Sequence, residues 1–287
     1  MKIANEWKDY KILDMANGQK LEKWGDVILS RPDPQIIWKE KTNPKKWNNI
    51  NATYYRSKSG GGSWEFKKNI PEKWQIKYKN LIFNIKPMGF KHTGIFPEQA
   101  VNWDWMMNKI QTSKREIKVL NLFAYTGGAT VACLSAGASV CHVDSSKGMT
   151  LWAKENVQSS KLEKSQVRFI VDDVVKFVNR EIRRGNTYDA IIMDPPSYGR
   201  GAKGEVWQFE TNIYDLVELC TKVLSEDPLF FLINSYTTGI SSKVLENILQ
   251  LSIPKKYKGK MESGEIGLPM EDSKLVLPCG IYGRWEK

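Results

Sequence analysis

The sequence predicts an α/β protein: a mostly parallel sheet with helices on both faces, preceded by a small β-rich region. Two textures along the chain predict it. Up to about residue 85, short alternating segments are broken by turn signals; from about residue 117, strand-sized apolar runs alternate with helical patterns. Strands that alternate with helices form parallel sheets, because each crossover helix returns across one face. The 287 residues and 41% apolar content allow one large domain with a smaller attachment.

The turn signals of the first part are Asn17-Gly18, Arg31-Pro32-Asp33-Pro34, Asn43-Pro44 and the triple glycine at 60–62. Residues 74–83 alternate around Lys79-Asn80 and read as a hairpin. Apolar residues at Val101, Trp105, Met106 and Ile110 then suggest a helix over 97–110. Strands are expected at 117–122, 139–143, 167–171, 188–193 and 229–234. Helices are expected at 129–136, 146–159, 174–183, 210–224 and 242–251, and 274–287 reads as extended. The division that follows is a β-rich basic domain over 1–85 and a larger domain over 86–287.

The formal net charge is +11, and residues 1–80 hold 17 Lys and Arg against 9 Asp and Glu. Six of the eleven tryptophans fall in the same stretch: Trp7, Trp24, Trp38, Trp47, Trp64 and Trp74. Basic charge neutralises phosphates and exposed rings stack on unpaired bases, so this region is a candidate RNA contact. The bland alternative is a solvated lysine surface over a small core filled with aromatics. No stretch approaches the ~18 apolar residues that cross a bilayer, and the charged start lacks a signal-peptide core. Four scattered cysteines without a C-x-x-C pair, and two histidines, argue against a metal site or disulfide framework and for a reducing cytoplasm.

Chemistry concentrates at the strand ends. Phe123-Ala124-Tyr125-Thr126-Gly127-Gly128 follows the first strand of the larger domain, where glycines let backbone approach a ligand. The segment does not match G-x-G-x-x-G, which disfavours a dinucleotide and with it a nicotinamide dehydrogenase. The second strand ends at Asp144, a carboxylate able to accept both ribose hydroxyls of a nucleoside. The third is followed by Asp172-Asp173, on the adenine side. One such acid often merely caps a helix; three after successive strands point to nucleoside binding. After the fourth strand comes Asp194-Pro195-Pro196-Ser197-Tyr198, in which two prolines fix φ and remove two backbone donors.

This order of motifs resembles the class I S-adenosylmethionine-dependent methyltransferases, and more closely the bacterial group containing 23S ribosomal RNA methyltransferases of cytosine C5 or guanine N7. The segments that carry it are VLNLFAYTGGAT (119–130), VDSSKGMTLWAKENV (143–157), VDDVVKFV (171–178), DAIIMDPPSYGRG (189–201) and GIFPEQ (94–99). Residues 13–38 and 263–285 resemble end segments of one sub-branch. The resemblance implies a Rossmann-like domain with a mostly parallel seven-stranded sheet, and S-adenosylmethionine as cofactor. It implies cofactor contacts at Asn121, Phe123, Ala124, Tyr125, Thr126, Gly127, Asp144, Ser145, Asp172, Asp173, Val174 and Asp194, with Phe96 and Gln99 closing over the ligand. Asp194, Pro195, Pro196 and Tyr198 would face the transferring methyl and receive the target base.

Cytosine C5 is a weak nucleophile that needs a transient cysteine adduct. In the related cytosine enzymes that cysteine follows the fifth strand, where this chain has Asn234-Ser235-Tyr236-Thr237. Cys133, Cys141 and Cys220 read as core residues, which leaves Cys279 as the outside candidate. Guanine N7 or an exocyclic amine is therefore favoured over cytosine C5. His92 reads as a surface residue and His142 as core; Arg200 and Lys203 could hold target phosphates, and Trp207 and Phe209 could stack on the substrate or pack the loop. The expected function is methylation of a base in ribosomal RNA. The alternatives are a methyltransferase for a protein or small molecule, and a non-catalytic RNA-binding module.

Overall fold

The computed structural model describes residues 1–57, 61–200 and 206–287. The chain divides into two compact units: one is Lys2–Val101 with Ile266–Cys279, the other is Met1, Asn102–Glu265 and Gly280–Lys287. The smaller unit begins with β1 (Lys2–Ile3), β2 (Tyr10–Ala16), β3 (Gln19–Trp24), β4 (Val27–Pro32), β5 (Ala52–Arg56) and β6 (Gly62–Phe66). Strands β2 to β6 form one five-stranded sheet in chain order; β7 (Trp74–Tyr78) and β8 (Leu81–Ile85) form the expected hairpin around Lys79-Asn80. Asn17 and Gly18 close the β2–β3 hairpin with φ of 51° and 73°, the left-handed pair that a two-residue turn between twisted strands requires.

Glu22 sits in the core of this unit, fully buried, and is held by three donors. Arg31 grips it through Nε at 2.6 Å and Nη2 at 2.8 Å, and Tyr10 donates its hydroxyl at 2.6 Å. Burial alone would raise this carboxyl, but Arg31 and Lys20 pull it down to about 2. Of the six tryptophans, Trp7 and Trp24 are core residues. The half-buried Trp38, Trp47, Trp64 and Trp74 each direct the indole N–H to an internal acceptor: Met15 O, Asp14 Oδ2, Met88 O and Trp24 O.

The rest of the chain supplies α1 (Ala100–Thr112), β9 (Lys118–Leu122), α2 (Gly128–Ser135), β10 (Ser139–Asp144), α3 (Lys147–Ser159), β11 (Val167–Val171), α4 (Val174–Arg184) and β12 (Ala190–Met193). There follow β13 (Tyr198–Arg200), β14 (Val206–Gln208), α5 (Phe209–Thr221), β15 (Phe230–Ser235), α6 (Ser242–Ser252), β16 (Lys260–Pro269) and β17 (Val276–Glu286). The large sheet has eight strands, one more than expected, in the order β1-β16-β17-β15-β12-β9-β10-β11. Strands β15, β12, β9, β10 and β11 are parallel to their neighbours in that run, and β17 is antiparallel to β15. This is the mostly parallel, helix-covered sheet that the alternation of strands and helices predicts.

Every residue of β12 and of β15 is buried, as central strands packed on both faces must be. One face packs Leu120, Ile191, Met193 and Phe231 against Phe177 of α4, Leu216 of α5 and Leu249 of α6. Short polar residues start the helices: Ser146 accepts from Met149 N, Asp173 from Lys176 N and Ser241 from Lys243 N. Two elements escaped the sequence reading, β16 and the small β13–β14 hairpin.

Candidate active site

Four adjacent parallel strands, in the order β12-β9-β10-β11, bring their carboxyl ends to one edge of the larger unit's sheet. Backbone bonds stitch the segments beyond those ends together. Asp194 N donates to Leu122 O at 3.4 Å, Ala124 N to Val143 O at 3.0 Å, and Asp172 N to Asp144 O at 3.1 Å. The predicted residues Asp194, Phe123 to Gly127, Asp144, Asp172 and Asp173 therefore stand side by side. Phe96 and Gln99 belong to the smaller unit. There Gln99 is buried in a short 3-10 turn, and the Phe96 ring lies 5.3 Å from that of His92. His92 is half-buried; burial and the cations Arg31 and Lys91 lower it to about 4, so it is neutral.

The loop after β9 is held from several sides. Phe123 and Tyr125 adopt left-handed backbone, φ 53° and 50°, at a cost of roughly 1–3 kcal/mol each for non-glycine residues. What holds them is the bonding around them. Asp144 Oδ2 accepts from Tyr125 N at 2.8 Å, and the buried Asn156 of α3 donates to Thr126 O at 2.8 Å. Gly127 starts α2 at φ 82°, where a Cβ would come within 2.9 Å of Ala153 Cβ. Glycine is needed there for close packing of α2 on α3.

Asn121 lies under this loop and is buried. Its Nδ2 donates to Thr130 Oγ1 at 2.9 Å, and Thr130 Oγ1 is 2.9 Å from His142 Nδ1. Burial lowers His142 to about 3, and its Nε2 has no partner among the described residues. Sequence reasoning missed this network, since Asn121 and His142 become cross-strand neighbours only in the β9–β10 register.

The acids differ in what already binds them. Asp144 accepts from Tyr125 N on Oδ2 and from Ser146 N on Oδ1, each at 2.8 Å. Burial nonetheless pushes its carboxyl above the ordinary range. Asp172 is ion-paired with Arg180, while Asp173 Oδ1 caps α4 through Lys176 N at 2.9 Å, directly before the buried Val174. Asp194 is half-buried, Ser145 is exposed, and Pro195 is buried. Pro196 is exposed; its carbonyl accepts from Trp207 Nε1 at 2.6 Å, and Ser197 Oγ accepts from Thr237 Oγ1 at 2.9 Å. Phe209 is a buried core residue and packs the loop down. Lys203 lies outside the described residues, as does the side chain of Arg200.

The thiols are all protonated. Burial pushes Cys141 up to about 11 and raises Cys133 and Cys220 further. Cys279, in the smaller unit, is raised by burial and by the Glu98 carboxylate. None of the four is paired with another cysteine.

The donor set fits a nucleoside-bearing sulfonium cofactor. An ionised carboxylate offers about four acceptor positions, and two backbone N–H groups engage Asp144. Two vicinal ribose hydroxyls would complete the set and offset its burial. No group of His, Cys, Asp and Glu among the described residues could hold a metal ion.

Comparison with known proteins agrees with this arrangement. A family model for S-adenosylmethionine-dependent methyltransferases matches residues 48–244. The SAM-dependent methyltransferase of Agrobacterium tumefaciens is 37% identical in sequence; it superposes with a TM-score of 0.92 over 98% of this chain and 91% of its own. SMU.776, crystallised with SAH, shares the fold at 19% identity and a TM-score of 0.78, over 98% of this chain and 76% of its own. The ribosomal RNA large subunit methyltransferase K/L of Syntrophotalea carbinolica is 25% identical over 210 residues, 70% of this chain and 28% of that protein. The ribosomal RNA large subunit methyltransferase I of Cronobacter sakazakii is 43% identical over 82 residues, 28% of this chain and 21% of that protein. The chain thus spans less than a third of the length of these curated relatives. With the matched family model covering more than half of its residues, the chain belongs to the S-adenosylmethionine-dependent methyltransferase family.

Proposed function

We propose that the protein methylates a base of ribosomal RNA, at guanine N7 or an exocyclic amine rather than at cytosine C5. The observation that carries this reading is the Asp194-Pro195-Pro196 turn. It is bonded through Asp194 N to Leu122, the last residue before the Phe123–Gly127 loop. When bound, S-adenosylmethionine supplies an electrophilic methyl group. The chain's part is to hold ribose on Asp144, flank adenine with Asp173 and Val174, and keep the target in line with the methyl. Alignment of nucleophile and electrophile supplies much of the rate in such a displacement. A base taken out of the RNA stack needs a rigid wall, and two prolines that fix φ provide one. Guanine N7 has a lone pair and needs no general base, which agrees with a site holding no ionised thiol and a neutral His142.

The ribosomal substrate rests on the relatives named above and on the basic N-terminal region, which we assign as an RNA contact over 1–85. Phe96 and Gln99 are assigned to closure over the cofactor. The cytoplasm is the compartment that fits four unpaired cysteines, and no helix among the described residues is long and apolar enough to cross a membrane. The test is methyl transfer from labelled S-adenosylmethionine to ribosomal RNA taken from cells lacking the protein, with the product nucleoside identified by mass spectrometry. One methylated purine, or a base methylated on its amine, is the expected product. 5-Methylcytidine would overturn the choice of atom, and label appearing only in protein would overturn the choice of substrate.

A further inference from the structure

We infer that Trp207, rather than Tyr198, is the aromatic surface on which the target base rests. The inference builds on base methylation as the function and names the side chain that would select for a planar target. In the β13–β14 hairpin, Tyr198 pairs with Gln208 and Gly199 with Trp207. Side chains alternate along a strand, so Tyr198 and Gln208 share one face of the hairpin while Gly199 and Trp207 share the other.

The Trp207 face is the one turned to the proline wall. Its Nε1 donates to Pro196 O at 2.6 Å, and a Cβ at Gly199 would lie 3.7 Å from Pro196 Cγ and 3.8 Å from Trp207 Cβ. The indole also meets Phe123, ring centroids 5.3 Å apart at 51°. Trp207 thereby joins the turn after β12 to the loop after β9, the two segments on either side of the Asp194–Leu122 bond. Tyr198 is 55% exposed on the opposite face.

Two features separate a receiving surface from a ring that merely anchors the hairpin. Phe209 already anchors it: it is buried in the core and donates its backbone N–H to Ser197 O at 3.0 Å. Trp207, by contrast, is only half-buried. The other ring of the pair, Phe123, is held in left-handed backbone, a strain of the kind retained at ligand sites. A tilted aromatic pair beside a proline wall accepts a flat heterocycle and gives no comparable gain to an aliphatic group.

The experiment compares Trp207→Leu, Trp207→Phe and Tyr198→Leu with the unmodified chain, using ribosomal RNA from cells lacking the protein. Leucine keeps apolar bulk and removes the π face; phenylalanine keeps a π face and removes the N–H. Trp207→Leu should lower kcat/KM for RNA by roughly tenfold or more, the scale of one lost base–aromatic stack. Trp207→Phe and Tyr198→Leu should stay within about threefold on the same scale. S-adenosylmethionine affinity, read calorimetrically without RNA, should be unchanged in all three. Equal losses in Trp207→Leu and Trp207→Phe, or a larger loss in Tyr198→Leu, would overturn the inference and leave base methylation standing. Failure of the unmodified chain to methylate RNA would overturn both.

Discussion

Asp144 illustrates how one side chain can serve structure and ligand together. Its two oxygens each receive one backbone N–H, fixing the carboxylate at the end of β10 and the Phe123–Gly127 loop around it. Replacing it by alanine should weaken S-adenosylmethionine binding by roughly 1–3 kcal/mol, the cost of losing a charged acceptor. Calorimetry on Asp144→Ala checks this, and unchanged affinity would remove the residue from the ribose role. The raised carboxyl also sets a direction with pH. In the proposed ribose role the ionised form is the one that binds, so cofactor affinity should be full at neutral pH and fall on acidification. That fall should begin at a higher pH than an ordinary aspartate would give. Among single residues, the acids at the strand ends were legible in the sequence because each follows an apolar run directly. The engagement of Asn121 by Thr130 was not legible, since it depends on a partner nine positions away on a helix.

Secondary-structure elements were most legible where burial imposed a period. The strands of the parallel sheet and the helices between them fall within a few residues of expectation, because a doubly covered sheet forces uninterrupted apolar runs. Strand β16 was not legible: its first half, Lys260–Glu265, has polar residues at Glu262, Ser263 and Glu265, and fully buried positions begin only at Ile266. The β13–β14 hairpin, three residues a strand, is shorter than any periodicity can register. The pairing of β3 with β4 offers a test at this scale, through Glu22 and Arg31. Removing one partner of a buried pair strands the other, so Glu22→Gln should cost about 3–5 kcal/mol in urea unfolding. Because the folded Glu22 is lowered to about 2, its contribution is present in full above the unfolded value near 4.5 and is lost as pH falls through about 2. The penalty of Glu22→Gln should therefore shrink on acidification through that window; a constant penalty would show that packing, not charge, is involved.

On the scale of the whole molecule, the uneven charge is the feature most open to measurement. The formal charge of +11 is concentrated in the first 80 residues, whose tryptophan N–H groups are largely turned inward. RNA affinity should therefore come more from phosphate contacts than from stacking by that region. Filter binding between 50 and 200 mM salt should reveal a loss of roughly tenfold or more, as counterion release requires. Salt-independent binding would contradict the assignment of 1–85.

The protonated state of all four cysteines bears on how commitment is made. On the proposed reading, with guanine N7 or an amine as nucleophile, the cycle would contain no thiol adduct, and each arrival of RNA would stay a reversible encounter until the methyl moves. Fidelity would then rest on dwell time: a wrongly chosen nucleotide would depart, with no adduct to resolve and no step needed to release it.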